Sequence, residues 1–259
     1  MAGLKADTVL LFSGLDPTGG AGISADIETI NQFGISALPI VTTLTAQNTQ
    51  EVELVEVTSQ KLIETQFKLL SEDIPFQTVK IGLLGSLDQI KTITRLLKAK
   101  SDLTIVHDPI ISSGNEEKLL DDAAIDFMRS ELIPMVTILT PNLDELSRLA
   151  PGLDERSAIA SLNCPWVLVT TADSSDADIE HRLYHDSKLV ERFCYNKLPD
   201  KYHGSGCTLS SAIGALVASG VAVNVACGRA LDYTYQTLLS AKKLGKMQYH
   251  PNRTLPKII

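Results

Sequence analysis

The chain has 259 residues, of which 44% are hydrophobic and 21% charged, a composition typical of a globular protein with a sizeable core. Its net charge of −8 disfavours binding to nucleic acid or to an anionic membrane surface. The N-terminus lacks the pattern of a signal peptide, and no stretch approaches the roughly 18 apolar residues of a membrane span. We therefore expect a cytoplasmic protein. The spacing of the four cysteines excludes a zinc site and predicts three buried, reduced thiols at Cys164, Cys194 and Cys227.

The first half of the sequence predicts strands that alternate with amphipathic helices. An apolar run over 8–12 indicates a buried strand and is followed by a glycine-rich loop over 13–22. Ile23, Ile27 and Ile30 then mark one face of a helix. The remaining predicted elements are a strand over 36–43, a polar loop over 45–49, a helix over 62–70, a strand over 79–84, a helix over 87–100 and a strand over 103–108.

The second half continues this pattern and then departs from it. We predict a helix over 121–132, a strand over 135–140, a helix opened by Pro141 and a strand over 166–170. Residues 179–185 and 189–195 alternate around a turn, which predicts an antiparallel hairpin at the sheet edge. Two helices end the chain. The repeated strand-then-helix order predicts a mostly parallel sheet covered on both faces, in one domain over 1–259.

The strongest chemical signal is the sequence Gly204-Ser205-Gly206-Cys207, which precedes a run with helical apolar periodicity. Glycines let the backbone approach a ligand closely, and the first N–H groups of a helix have no partners within the helix. These features predict a cradle for an anion, usually phosphate. In the first helical turn the dipole lowers the pKa of Cys207, which could then act as a base. The alternative is a simple helix start with Cys207 in the core.

Two further loops offer groups for a polar heterocycle. The run from Gly20 resembles a dinucleotide fingerprint, but seven residues separate it from the strand, which argues against that fold. Asp26 is interpreted either as a carboxylate that lines a pocket or as an exposed first-turn residue that answers the helix dipole. Gln47 and Asn48 carry amides that suit the mixed hydrogen-bonding edge of an aminopyrimidine, although both also suit a turn.

A third group of polar residues lies near predicted strand ends. Asn142 and Glu145 share a helical face and could hold Mg²⁺ through water, or they could form a capping box at the helix start. The role of Asp108, at the end of a strand, stays open. No Walker-type glycine loop and no serine-hydrolase elbow is present in the sequence. His203 adjoins the glycine cradle, where we expect it to stabilise the turn.

Taken together, these stretches resemble the ribokinase superfamily, and more closely its hydroxymethylpyrimidine/phosphomethylpyrimidine kinase branch. The resemblance implies a three-layer α/β/α ribokinase-like fold with a mostly parallel central sheet and an antiparallel edge hairpin. It also implies phosphorylation of 4-amino-5-hydroxymethyl-2-methylpyrimidine and its monophosphate in thiamine biosynthesis, with ATP and Mg²⁺. The matching segments, in family order, are 14–23 with Asp26, 44–49, 80–82, 140–142 with Glu145, and 203–208.

The resemblance also implies roles for individual residues. Cys207 takes the position of a catalytic base, with the anion hole formed by Gly204, Ser205 and Gly206. The pyrimidine contacts are then Gly14, Asp26, Thr45, Gln47, Leu83 and Ile110. The nucleotide contacts are Asn142, Thr170 and Thr171, and the metal ligands are Asp108 and Glu145. A homodimer is a further implication.

The sequence departs from the family in one segment. Many members follow the strand at 166–170 with a Lys-Gly-Gly-His run that reaches the nucleotide phosphates, whereas this chain reads Thr170-Thr171-Ala172-Asp173. The loss of this positive charge puts the efficiency of ATP use in doubt. The segment between Glu145 and Trp166 is also short for the family, which suggests that one helix there is trimmed. A pyridoxal or pyridoxine kinase, and a non-catalytic pyrimidine-binding protein of the same fold, are the alternatives.

Overall fold

A computed structural model describes residues 7–112, 119–172 and 178–255. In these residues nine strands form one sheet in the order β3-β2-β1-β4-β5-β6-β7-β8-β9. The six strands from β2 to β7 in this order are parallel, and β3, β8 and β9 pair antiparallel at the two edges. The strands are β1 Thr8–Leu15, β2 Ser36–Gln47, β3 Val52–Val57, β4 Thr78–Ile81, β5 Thr104–His107, β6 Ile138–Leu139, β7 Trp166–Val169, β8 Asp178–His185 and β9 Lys188–Asn196.

Helices cover both faces of the sheet. They are α1 Gly22–Gln32, α2 Gln60–Asp73, α3 Leu87–Lys98, α4 Asp122–Phe127, α5 Leu143–Leu149, α6 Glu155–Ser161, α7 Ser205–Ala218 and α8 Val223–Leu239. The side chains of β1 alternate between the two faces of the sheet, and so contact both helical layers. Leu10 and Phe12 join the core beneath α2 and α3, whereas Val9 and Leu11 face α1 and α7. The three-layer fold with a mostly parallel sheet and an antiparallel edge hairpin is confirmed.

Several predicted boundaries need correction. The helix predicted over 121–132 is α4 followed by a π-helical turn, Met128–Leu132, and a 3₁₀ turn, Ile133–Met135, that includes a proline. The strand predicted over 135–140 shortens to β6. Between Glu145 and Trp166 the chain keeps two short helices, α5 and α6. Cys194 is exposed and not buried, because it lies on the outermost strand, β9.

The loop predicted over 45–49 was wrong for its first half. Strand β2 continues to Gln47 because it pairs with β3, a strand that the sequence analysis did not identify. Asn48 closes this β2–β3 hairpin, since its side-chain oxygen accepts hydrogen bonds from the backbone N–H groups of Gln50 and Glu51, at 2.7 and 3.2 Å. The hairpin therefore holds Gln47 on a strand and not on a loop.

The order of the strands defines where a ligand can enter. The chain places β2 on one side of β1 and later returns to place β4 on the other side, so β1 lies at the switch point of the sheet. Ligands of open α/β sheets bind at the carboxyl ends of the strands at such a point. Here Gly14 and Gly82 mark those ends. Among the described residues, no helix combines the length and the apolar character needed to cross a bilayer.

Candidate active site

Two glycine-rich segments meet at the start of α7. Gly204 has φ +84°, in the left-handed region, and a Cβ at this position would collide with the carbonyl oxygen of Gly20. A Cβ on Gly20 would lie 2.6 Å from the His203 ring and 2.9 Å from the His250 ring. Only glycines allow this approach. The N-terminus of α7 is therefore fixed against the loop that follows β1, as the predicted anion cradle requires.

Arg253 stabilises the contact between these two glycine-rich segments. Its side chain is buried, its Nε donates to Thr208 Oγ1 at 2.9 Å, and its two terminal nitrogens donate to the carbonyl oxygens of Gly19 and Gly20. Thr208 Oγ1 in turn donates to Gly204 O at 2.8 Å. The sequence analysis missed Arg253, because an arginine 45 residues beyond the cradle carries no local signal.

Asp16 organises the loop after β1. Its carboxylate accepts hydrogen bonds from the Thr18 N–H at 2.8 Å, the Thr18 hydroxyl at 2.9 Å and the Ala21 N–H at 2.9 Å. Nε2 of His203 lies 2.8 Å from Asp16 Oδ2. Burial opposes ionisation, but the hydrogen bonds from His203 and Thr18 outweigh it and hold the pKa of Asp16 below its usual range. Asp16 is therefore a carboxylate at neutral pH.

A buried ion pair lies beneath the switch point. Lys80 Nζ donates to both carboxylate oxygens of Asp26, at 2.8 and 2.9 Å, and both side chains are fully buried. Ser211 Oγ donates to Asp26 Oδ1 at 2.7 Å. Burial favours the neutral form of Lys80, but Asp26 outweighs this effect and raises the Lys80 pKa above its ordinary value.

This ion pair corrects the interpretation of Asp26. Its carboxylate neither lines an open pocket nor lies exposed in the first turn of α1, because α7 and β4 bury it and supply its partners. Gly82 leaves room for the cluster, since a Cβ there would lie 2.7 Å from Ser13 Oγ and 2.8 Å from Lys80 Nζ. From the sequence, Lys80 is known only as part of the matching segment 80–82, and nothing there assigns its charge a role.

Cys207 and Asp108 face the cradle from the helix and from the sheet. Burial raises the pKa of Cys207 to about 12, which outweighs the opposing effects of Lys80 and of the Gly22 N–H. The expected lowering of the Cys207 pKa was therefore wrong, and the group is a thiol at neutral pH. Burial likewise raises the pKa of Asp108 to about 6, although Lys80 opposes the shift. A Cβ on Gly206 would lie 3.4 Å from Asp108 Oδ2, so this carboxyl group lies directly beside the cradle.

The predicted pyrimidine contacts other than Asp26 are spread across the switch point, from β2 to the segment after β5. A Cβ on Gly14 would collide with Thr43 Oγ1, so this glycine permits close packing of β1 against β2. The Thr45 hydroxyl is engaged, because it donates to Leu15 O at 2.9 Å. Gln47 is half-buried, with its amide Nε2 3.4 Å from His203 Nε2. Leu83 is half-buried and, with β3, lines a groove of about 230 Å³; Ile110 is half-buried after β5.

The predicted nucleotide contacts are largely engaged in local bonds. Asn142 and Glu145 form a capping box, with Asn142 Oδ1 accepting from the Glu145 N–H at 2.8 Å and Glu145 Oε2 from the Asn142 N–H at 2.9 Å. The Thr170 N–H donates to Pro141 O at 2.9 Å. Thr171 is buried, and its hydroxyl donates to Glu180 O at 3.1 Å. Asp173 lies outside the described residues.

Within 7–112, 119–172 and 178–255, no group of three or more His, Cys, Asp or Glu side chains is arranged to hold a metal ion. The predicted ligands Asp108 and Glu145 therefore do not form a protein-only cage. A Mg²⁺ site built mainly from waters and phosphate oxygens needs only one or two carboxylates, so this absence leaves the Mg²⁺ prediction open.

Comparison with known proteins identifies the class to which this fold and site belong. The family model described as phosphomethylpyrimidine kinase matches residues 16–252. A hydroxymethylpyrimidine/phosphomethylpyrimidine kinase from Mycobacterium tuberculosis is 32% identical to this chain, over 94% of this chain and 92% of the relative. The chain therefore belongs to the phosphomethylpyrimidine kinase family.

Solved structures agree on the fold and broaden the chemistry of the neighbours. An ADP complex of Bacillus subtilis pyridoxal kinase is 25% identical, with a TM-score of 0.86 over 95% of this chain and 97% of that one. A phosphomethylpyrimidine kinase from Clostridium difficile is 29% identical, with a TM-score of 0.76 over 89% of this chain and 99% of that one. The ribokinase-like fold expected from the sequence is confirmed.

Proposed function

We propose that this protein uses ATP to phosphorylate the hydroxymethyl group of 4-amino-5-hydroxymethyl-2-methylpyrimidine, and then the resulting monophosphate, in thiamine biosynthesis. The observation that carries this proposal is the family match over residues 16–252 together with the glycine cradle at the start of α7. A cradle of backbone N–H groups at a helix N-terminus suits the phosphoryl group that such a kinase transfers.

The reaction requires positioning and charge neutralisation more than covalent chemistry. The hydroxymethyl oxygen attacks the γ-phosphorus, the bond from that phosphorus to the bridging oxygen of ADP breaks, and the alcohol proton passes to a base. The N–H groups of residues 204–207 stabilise charge on the transferred group. The buried Lys80–Asp26 pair adds no net charge beneath the cradle, so this stabilisation rests on the N–H groups.

Two side chains compete for the role of proton acceptor. Cys207 holds the position assigned by the resemblance, but its pKa of about 12 leaves little thiolate at neutral pH. Asp108, with a pKa of about 6, is mostly ionised at pH 7. The pH dependence of kcat/KM separates them, because dependence on Asp108 gives a plateau above about pH 6 and dependence on Cys207 gives a rate that still rises beyond pH 9.

The nucleotide and the metal belong to the strand ends beyond Asp108. ATP is supported by the ADP complex of the pyridoxal kinase neighbour. We assign Asn142, Thr170 and Thr171 to the phosphates. Where Cys207 accepts the proton, Asp108 is the first candidate ligand for Mg²⁺, because its carboxylate is buried and its contact with Ser210 Oγ is long, at 3.5 Å. Glu145, whose Oε2 accepts from the Asn142 N–H in the capping box, is the second candidate ligand. Bound Mg²⁺ would neutralise charge on the phosphates.

The test is release of ADP from Mg²⁺-ATP with hydroxymethylpyrimidine, its monophosphate, pyridoxal, pyridoxine and ribose. Wild-type turnover on both pyrimidines is expected. If Cys207 is the proton acceptor, Cys207→Ala lowers turnover at least tenfold while pyrimidine binding persists. The exposed Cys194→Ala is the matched control, with unchanged rates. Binding of a pyrimidine without turnover on any acceptor would replace the kinase with the non-catalytic binding protein.

A pyridoxal kinase is the second candidate. The TM-score of 0.86 to the Bacillus subtilis pyridoxal kinase favours it, and the pyridoxal ring also presents a hydroxymethyl group beside polar substituents. Turnover on pyridoxal alone in the same panel would establish this function. The family match and the relatives at about 30% identity favour the pyrimidine reading.

The remaining expectations concern the state of the protein. We propose a cytoplasmic enzyme of one domain that takes a small-molecule substrate. A homodimer through the β2–β3 hairpin is supported by its exposed apolar side chains, Leu44, Leu54 and Val57. Sedimentation of the wild-type protein and of a Leu54→Glu variant tests it: a dimer that becomes a monomer only in the variant supports the hairpin contact.

A further inference from the structure

His203 links the carboxylate of Asp16 to the amide of Gln47. His203 Nε2 lies 2.8 Å from Asp16 Oδ2 and 3.4 Å from Gln47 Nε2. These three residues come from the loop after β1, the end of β2 and the turn before α7, so the fold brings them together over long sequence distances. The imidazole therefore touches both the loop that supports the cradle and the residue expected to bind the heterocycle.

The hydrogen on His203 Nε2 is fixed by Asp16. An ionised carboxylate has no hydrogen to donate, so the short contact between Nε2 and Oδ2 requires Nε2 to carry the hydrogen. Asp16 Oδ2 also accepts from the Thr18 hydroxyl and the Ala21 N–H, which holds the carboxylate in place. With its hydrogen on Nε2, His203 has no lone pair on that atom for Gln47.

This assignment determines which end of the Gln47 amide faces the histidine. An amide nitrogen beside Nε2–H sets two donors against each other, and a half-turn of the amide replaces the nitrogen by its oxygen. The oxygen then faces His203, and the NH₂ group is free for a ligand. A ring nitrogen with a lone pair is the ligand atom that accepts from NH₂.

We propose that His203, held by Asp16, is a positioning residue that orients the Gln47 amide so that the site selects a ring bearing an unprotonated nitrogen at this edge. The inference rests on the proposed function, because it assigns Gln47 to the heterocycle. It goes further by naming which hydrogen-bonding edge is recognised and which residues set the choice.

A double-mutant cycle tests the proposal with dissociation constants for hydroxymethylpyrimidine measured by calorimetry. Gln47→Ala is expected to weaken binding about tenfold, the equivalent of one hydrogen bond. His203→Ala is expected to weaken it about threefold to tenfold, and the double variant to bind no more weakly than Gln47→Ala. Effects that multiply in the double variant would show that His203 does not act through Gln47, and would overturn the proposal.

Three further measurements separate positioning from a general structural role. His203→Gln keeps an NH₂ donor for Asp16 and is expected to bind within about threefold of wild type, which also guards against a misfolded alanine variant. Two analogues of hydroxymethylpyrimidine, each with one ring nitrogen replaced by C–H, show which nitrogen is recognised. One analogue is expected to bind the wild type about tenfold more weakly than the other, and the two are expected to bind His203→Ala equally. His185→Ala, at the opposite end of the sheet, is the control and should change neither value.

The same titrations distinguish failure of the proposed kinase function from failure of the positioning role of His203. Wild-type protein that binds the pyrimidine but turns over no acceptor would end the kinase proposal and leave the cycle to decide the role of His203. Wild-type protein that binds no pyrimidine would overturn both. Equal affinity of the wild type for the pyrimidine and for both C–H analogues would overturn the positioning proposal alone.

Discussion

The proposed acceptor side and the proposed nucleotide side of this site are built differently. On the acceptor side, buried charges and glycine contacts join residues far apart in sequence, as in Lys80–Asp26, His203–Asp16 and Arg253–Thr208. On the nucleotide side, the candidates bond to near neighbours, as in the Asn142–Glu145 capping box. A cradle bonded in this way is preorganised, whereas the nucleotide contacts must come from groups that backbone atoms already use. Substitutions on each side of the site test that contrast.

The largest expected effect comes from the ion pair under the cradle. Lys80→Met leaves the Asp26 carboxylate buried without its cation, which is expected to lower the free energy of unfolding by about 3–5 kcal/mol. Lys68→Met is the matched control, because Lys68 and Glu72 form an exposed pair at 3.8 Å and their contribution is expected to be below about 1 kcal/mol. Urea denaturation measures both; equal losses would show that burial of the pair is unimportant.

Asp108→Asn is expected to stabilise the protein and reduce its activity. Burial raises the pKa of Asp108 from 3.8 to about 6, so the folded state binds this proton more tightly than the unfolded state. The favourable contribution is complete below pH 3.8 and is lost as the pH rises through 6. The variant is therefore expected to gain about 2–3 kcal/mol at pH 7 and nothing near pH 3.5.

Thermal unfolding across this pH range, together with the turnover assay, checks the prediction for Asp108. A more stable variant with lower turnover at pH 7 would indicate a site that sacrifices stability for function. If Asp108→Asn is less stable than the wild type at pH 7, the attraction between the Asp108 carboxylate and Lys80 outweighs the cost of burying that carboxylate.

Arg253→Met tests how the cradle is supported. Loss of the hydrogen bonds to Thr208 and the 19–20 carbonyl groups is expected to cost about 1.5–3 kcal/mol and to lower kcat more than it raises the KM for the pyrimidine. Arg192→Met, on the exposed strand β9, is the control. A change confined to the KM for the pyrimidine would contradict a role in shaping the phosphoryl cradle.

The smallest expected effect restores a charge on the nucleotide side. Ala172 is exposed at the end of the segment after β7. Ala172→Lys is expected to lower the KM for ATP about threefold and to leave the KM for the pyrimidine unchanged, because an exposed charge contributes about 0.5–1 kcal/mol. Ala172→Gln controls for side-chain length. Equal effects of lysine and glutamine would show that positive charge is not what this segment lacks.

The sequence predicted the features that repeat along the chain and missed those made by distant partners. Apolar periodicity located α1, α2, α3 and the β8–β9 hairpin, because each pattern is complete within one segment. The glycine-rich start of α7 was predicted because its two glycines adjoin a run with helical periodicity. The pKa of Cys207 was predicted in the wrong direction, since the helix dipole is a local effect whereas burial depends on the whole fold.

Other misses have the same origin. The sequence around Asp26 gives no sign of Lys80, the lysine 54 residues away that neutralises it. Strand β3 was missed because its side chains are half-buried or exposed along its length, so it lacks the clean alternation of a strand with one buried face. Asn142 and Glu145 were assigned two roles, and the structure shows that the local one, the capping box, is formed.

The contact between Arg253 and the 19–20 carbonyl groups has a consequence for the order in which the protein is assembled. A ribosome makes Gly20 some 233 residues before Arg253, so this contact can form only long after the loop has been made. Contacts between residues this far apart also form slowly in refolding, because a long loop must close first. The strands of the sheet can therefore pair before Arg253 has bonded to the proposed phosphoryl cradle, and we expect enzymatic activity to appear later than secondary structure.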